Sequence, residues 1–275
     1  MKIHHLNCGT MCPMCQRLVN GHGSWTKPGR MVCHCLLVET ASSLVLVDTG
    51  MGSQDILHPA KQLGRAFVSI TRPQLSMAET AIAQIRRLGY DPKDVRHILP
   101  THLDLDHAGG LADFPHAKVH VYKPELEQIT RPTLRDKVRF RAAQFAHHPH
   151  WVVHEAMDEP WFGFNSTVAI PALDVDIRIV PLIGHTKGHA GIAVQDKDKW
   201  LLHCGDAYFH HSQVTKEGPM SIGLAVFERL AQTYPEARAN HVAKLRHLAQ
   251  SQQDQVEMFC AHDLVEYERY GKRVG

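Results

Sequence analysis

The sequence predicts an α/β fold in a single domain over residues 1–275, and three observations carry that reading. Short apolar runs of strand character alternate with stretches of helical period along most of the chain. Turn signals punctuate them closely, with neither a Gly/Ser-rich linker between autonomous halves nor a short-period repeat. Side chains able to hold a metal recur just past the ends of the apolar runs, where open α/β sheets place their sites.

The chain opens as a β-meander: KIHHL at 2–6, a Gly/Pro/Cys-rich loop through Gly29, CHCLLVE at 33–39 and SLVLVD at 43–48. In SMAETAIAQIRRLG at 76–89, Ser76 reads as an N-cap with Glu79 three residues on. Ala78, Ile82 and Ile85 then recur at helical spacing, and Gly89 is the stop. VRHILP at 95–100 and KVHVY at 118–122 are strands on either side of a polar loop that runs to Gly110. KPELEQIT and LRDKVRFRAAQF read as helices; HHPHWVVHEAMDEPWFGF then shows no clean period, so about 131–165 is expected to be an insertion or lid. Strands at 174–181, 189–195, 199–205 and 256–262, with helical stretches near 222–232 and 237–251, complete the reading.

Thirty Lys and Arg against 28 Asp and Glu give a formal charge of +2, too little for phosphate-backbone binding, so no nucleic acid partner is expected. No apolar run approaches the roughly 18 residues of a membrane span. The start MKIHHLNCGT lacks the apolar run of a signal peptide and the seven cysteines are odd in number, which reads as a reducing cytoplasm. The outlier is 22 histidines, since neutral imidazole is the commonest ligand for transition metals.

Spacing gives those histidines a meaning. In ILPTHLDLDHAGG at 98–110, His102, Asp104 and Asp106 alternate with Leu103 and Leu105. In an extended segment the three share one face, and the turn after them brings His107 round. A solvated loop would explain neither the apolar alternation nor the recurrence of His185, Asp206 and His262, each at the end of an apolar strand. Seven nitrogen and oxygen donors suffice for two ions at about four ligands each, one carboxylate bridging.

These residues, together with LVLVDTGM at 44–51, LGYDPKDVRHI at 88–98, GHTKGH at 184–189 and AHD at 261–263, resemble the metallo-β-lactamase superfamily, and within it the N-acyl homoserine lactonase-like branch. The resemblance spans roughly residues 30–265 and implies an αββα sandwich of two mixed β-sheets flanked by helices. It implies a first ion on His102, Asp104 and His185, a second on Asp106, His107 and His262, and Asp206 bridging. Asp48 would support the ligand loops. A bridging hydroxide would open a lactone or related carboxylic ester, with Asp106 passing a proton to the leaving oxygen.

Two positions depart from the pattern. The lactonases carry a substrate-contacting tyrosine three residues past the bridging aspartate; here Phe209 stands there, leaving Tyr208, one place earlier, as the catalytic candidate. Asp104 stands where most members have histidine. Two divalent ions (+4), three aspartates (−3) and hydroxide (−1) then sum to zero instead of +1, a harder ligand set that leans toward manganese or iron, while zinc remains the first choice. A carboxylate at that place also occurs in flavodiiron proteins, so a diiron redox protein is the alternative, with a glyoxalase-type thioester hydrolase as another. The expected partner is a small-molecule substrate with an apolar acyl chain, and a homodimer is admitted.

Other features have plainer readings. Cys12 and Cys15, with Cys8, Cys33 and Cys35, have the spacing of a structural metal site, but small buried thiols account for them better. Trp151, Trp161, Phe162 and Phe164 read as core before acyl-chain wall. His147, His148, His150 and His154 read as a solvated insertion. Arg131, Arg135, Lys137, Arg139 and Arg141 read as a solvated helix face.

Overall fold

The structure is a computed structural model that describes residues 1–215 and 218–271. Among the described residues β1 (Lys2–Met11), β2 (Met31–Glu39), β3 (Leu44–Val47), β4 (Val95–Leu99), β5 (Lys118–Tyr122) and β6 (His150–His154) form one sheet in sequence order. Its first three strands are antiparallel and β3 through β6 parallel. β7 (Glu159–Trp161), β8 (Phe164–Val168), β9 (Ile177–Pro181), β10 (Ala190–Asp196), β11 (Lys199–His203) and β12 (Val256–Phe259) form the second, in the order β12-β11-β10-β9-β8-β7. There only β11 and β12 run parallel.

The sheets pack face to face. Leu36, Val38, Val45, Val47 and Leu99 of the first meet Ile177, Ile179, Ile192, Val194 and Phe259 of the second. Their neighbours point the other way: Leu37, Leu46, Ile98 and Val119 pack outward on Ile85 and Phe114. On the far side Val180, Ala193 and Leu202 pack against Val242, Leu245 and Leu248 of the helix Pro235–Ser251. Strands covered on both faces must be apolar at every position, which is why CLLV and LVLV read as unbroken runs. The product is the expected αββα sandwich, whose parallel strand ends open toward one edge.

Two local expectations are corrected. The helix Ala81–Arg87 is capped by Thr80, whose Oγ1 accepts from the Ala83 N–H at 3.3 Å, while Met77–Glu79 forms a separate 3-10 turn. Glu79 does not close a box with Ser76, because its carboxylate accepts from the backbone N–H and Oγ1 of Thr10 at 2.7 and 2.9 Å. Nor is 131–165 one insertion: β6 pairs with β5 and β7 with β8, so its second half supplies an edge strand to each sheet. Edge strands are covered unevenly, which blurred their period. Trp161 and Phe164 are buried beside Leu182, with Trp200 packed on them, a core role. No described helix is long and apolar enough to cross a membrane.

Candidate metal centre

The centre is assembled where β3 and β4 end. Asp48, in the left-handed region at φ +53°, accepts from Thr101 N at 2.6 Å, Thr101 Oγ1 at 2.9 Å and His107 Nδ1 at 2.9 Å. One carboxylate thus ties the two strand ends together and fixes the His107 tautomer with Nε2 inward. Thr49 Oγ1 donates to the His107 carbonyl at 2.7 Å. A side chain on Gly52 would strike the Gly109 carbonyl, and one on Gly109 the Asp55 carboxylate, so the turns VDTGMG and DHAGG interlock through glycines.

All seven residues singled out by spacing gather here. Asp206 lies between two histidine pairs: Oδ2 is 3.2 Å from His185 Nε2 and 3.9 Å from His102 Nε2, while Oδ1 is 3.1 Å from His262 Nε2 and 3.4 Å from His107 Nε2. Asp104 Oδ2 joins the first pair at 3.2 Å from His102 and 3.0 Å from His185. Asp106 Oδ2 joins the second at 3.5 Å from His262. The outer nitrogens are engaged behind: His102 Nδ1 with Thr101 Oγ1 at 3.0 Å and His262 Nδ1 with the Val32 carbonyl at 2.7 Å.

The donor set fits divalent cations. His102 Nε2 and Asp206 Oδ1 are buried polar atoms whose nearest partners, Asp104 Oδ2 at 3.2 Å and His262 Nε2 at 3.1 Å, are not aligned as hydrogen bonds, although such groups are nearly always satisfied. Burial, then the Arg139 guanidinium, push His185 down to about 3, leaving a neutral imidazole whose Nε2 accepts from Arg139 Nη2 at 2.6 Å. Burial also pushes His107 and His262 down, but Asp206 outweighs it and holds both well above the usual imidazole range. Burial raises the Asp206 carboxyl, yet His262, His107 and His185 hold it well below the carboxylate range. The cluster is built to hold positive charge.

Three contributors were missed by the sequence reading. Arg139, placed there on a solvated face, lies in the site: Nε donates to Asp104 Oδ1 at 2.5 Å, Nη2 to Asp104 Oδ2, and Nη1 to the His185 and Ala231 carbonyls at 3.0 and 2.7 Å. Its charge restores the unit that Asp104 removes. Glu125 accepts from Leu103 N at 2.8 Å, Thr186 Oγ1 at 2.7 Å and Gly188 N at 3.0 Å, joining the two loops of the first half. His189 receives the Asp206 N–H at 2.9 Å and spends its other nitrogen on the Leu182 carbonyl. The repeated histidine of GHTKGH was the available signal; Arg139 and Glu125 had none in local spacing.

Tyr208 is a correction. It is fully buried among Cys204, Val242 and Cys260, and its hydroxyl donates to Glu266 at 3.1 Å, facing away from the ligands. Phe209 takes the inward place, stacked on His262 at 5.6 Å and edge-on to His185 at 5.6 Å. Among the described residues Cys12 and Cys15 gather no third ligand; Cys8, Cys33 and Cys35 are buried free thiols. His211 is paired with Asp263 at 2.7 Å, and His154 with His120 at 3.1 Å.

The ligands floor a cleft of about 920 Å³ walled by Met14, Leu18, Phe67, Ile70, Leu224 and Phe227, with Arg65, Arg135 and Arg141 at its edge. The aromatics of 151–164 take no part in that wall.

Comparison with known proteins agrees with this architecture. The "Probable metallo-hydrolase" of Mycobacterium tuberculosis is 40% identical over 264 residues, covering 96% of this chain and 80% of its own. An N-acyl homoserine lactonase of a Bacillus species is 25% identical over 194 residues, 68% of each chain. The solved N-acyl homoserine lactone hydrolase with N-hexanoyl-L-homoserine at its catalytic metal centre superposes with a TM-score of 0.71 at 20% identity, over 98% of this chain and 95% of that one. The dizinc quorum-quenching lactonase AidC gives 0.60 at 15% identity, over 94% and 86%. The family model of the metallo-beta-lactamase superfamily matches residues 28–252, and with the ligand order and the sandwich already in place, the chain belongs to that superfamily and is a metallo-hydrolase.

Proposed function

We propose that this metallo-hydrolase opens a lactone or a related carboxylic ester bearing an apolar acyl chain. The observation that carries the reading is Asp206, one oxygen toward each histidine pair, at the floor of a cleft with an apolar wall. His102, Asp104 and His185 would hold one divalent ion and Asp106, His107 and His262 the other. Two such ions supply a water of lowered pKa and polarise a carbonyl. Zinc is the first choice, with manganese or iron admitted on the Asp104 side.

The chain's own residues divide the remaining work. Met14, Leu18 and Phe227 take the acyl chain and exclude water, as apolar pocket walls do. Phe209, between His185 and His262, limits how deeply the ester enters. Asp106 lines the cleft, and its carboxylate would accept a proton and deliver it to the leaving oxygen. Arg139 holds Asp104 in position through two parallel hydrogen bonds. Phe209 offers no hydroxyl to the substrate carbonyl.

The test is proton release in a pH-stat, using protein loaded separately with zinc, manganese or iron and a panel of short- and long-chain lactones and esters. Metal-dependent acid release on lactones, lost in Asp106→Ala, supports the reading. Silence across the panel in protein shown to hold two ions rejects it and points to the diiron redox or thioester alternative.

A further inference from the structure

Cys33 lies on β2, 2% exposed, packed with Met11, Met51, Leu63 and Leu105 beneath the cleft floor. Its Sγ, a carboxylate oxygen of Asp106 and a ring nitrogen of His262 all lie within 4.8 Å of one another. Ligands of one tetrahedral zinc ion stand about 3.3–3.8 Å apart, given bonds of about 2.0–2.3 Å, so atoms within 4.8 Å need to draw together by about an ångström. Small side-chain adjustments therefore bring all three onto a common ion. His262 Nδ1 is committed to the Val32 carbonyl at 2.7 Å, so Nε2 is the atom it offers. A second observation points to a ligand at the same place: Asp206 Oδ1 is a buried oxygen on a side chain 5% exposed whose 3.1 Å contact with His262 Nε2 is not aligned as a hydrogen bond.

We propose that Cys33 is a thiolate ligand in the second half of the centre, beside Asp106 and His262. This rests on the two-ion reading above and is independent of the substrate. On binding, the metal–sulfur bond forms as the S–H bond breaks, and the proton passes to bulk water. The two halves then differ in kind. The first, with Asp104, is rich in oxygen and suits a harder ion; the second, with a thiolate, favours zinc, cobalt or cadmium. Simple space-filling would equally explain Cys35, which contacts Cys8 and belongs to none of the clusters of possible metal ligands, so Cys35 serves as the internal control.

The experiment loads the full chain with two equivalents of cobalt(II) and records the near-ultraviolet spectrum. The expected result is a sulfur-to-cobalt charge-transfer band that disappears in Cys33→Ser still holding two cobalt ions and persists in Cys35→Ser. Cadmium affinity of the tighter half should fall at least about tenfold in Cys33→Ser. Should that variant not fold, zinc-edge X-ray absorption of the wild-type chain reads the same point through a sulfur shell near 2.3 Å. Two bound cobalt ions without the band, a band surviving in Cys33→Ser, or a zinc shell of nitrogen and oxygen alone each overturn the proposal. A chain that binds no second ion overturns it together with the two-ion reading, whereas a band with no lactone hydrolysis rejects only the substrate.

Discussion

Asp48→Asn is the sharpest perturbation of the centre, because it changes hydrogen-bond polarity and little else. Asparagine tolerates the left-handed backbone at φ +53°, so the turn is preserved. The aspartate accepts from three donors: Thr101 N at 2.6 Å on one oxygen, and Thr101 Oγ1 and His107 Nδ1, both at 2.9 Å, on the other. An amide that keeps its oxygen on Thr101 N turns its NH₂ toward two donors. His107 must then shift its proton to Nε2, the atom facing Asp206 at 3.4 Å, or rotate away. Loss of such a supporting partner costs about 10–100-fold in metal affinity, or about 1.4–2.7 kcal/mol. Competition with a chromophoric zinc chelator measures this directly. The second ion should weaken most, and the first less, since Thr101 Oγ1 also meets His102 Nδ1 at 3.0 Å. Two zinc affinities unchanged from wild type would refute the argument that Asp48 sets the His107 tautomer.

Other consequences are as direct. Arg139→Gln leaves Asp104 buried beside two further carboxylates without its ion pair; metal-free protein should lose about 3 kcal/mol in urea unfolding, and zinc-loaded protein clearly less. Equal losses would reject the pairing as an electrostatic device. Tyr208→Phe removes the hydroxyl's bond to Glu266, so the hydrolysis rate should not change while stability falls by about 1 kcal/mol, and a large rate loss would return Tyr208 to the site. His120 is pushed down to about 3 by burial, then by His97 and His154, whereas the unfolded imidazole titrates near 6.5. Between those values the unfolded chain binds the extra proton, so stability falls with pH, by about 2 kcal/mol from pH 7 to pH 5. In His120→Phe that part of the acid sensitivity should vanish when urea unfolding is compared at the two pH values.

What the sequence disclosed, and what it withheld, follows from the range of the forces involved. The sandwich was legible because strands buried on both faces must be apolar throughout, as CLLV and LVLV are. The candidate ligands were legible as a group because strand ends carry them in a fixed order. Thr80 displaced Ser76 as cap because Glu79 found Thr10 about seventy residues upstream, a contact no local window contains. Arg139 looked like one charge in a basic run; only folding brings it onto Asp104. Tyr208 was offset by one residue from the inward position, and on a turn one residue decides which way a side chain points. Cys33 read as a small core residue, and its place beside His262 needed two sheets to meet.

The glycine contacts between the VDTGMG and DHAGG turns bear on how such an enzyme diversifies. Backbone packed on backbone leaves no slack for a longer side chain or an extra residue, so neither turn can drift without the other. Random libraries aimed at these turns should yield mostly unfolded clones. New substrate preferences are better sought on the cleft wall, at Met14 and Leu18 and on the helices Leu134–Arg139 and Ile222–Ala231, whose side chains reach the cleft. There, tolerance to mutation and contact with substrate coincide, and a focused library would be best spent.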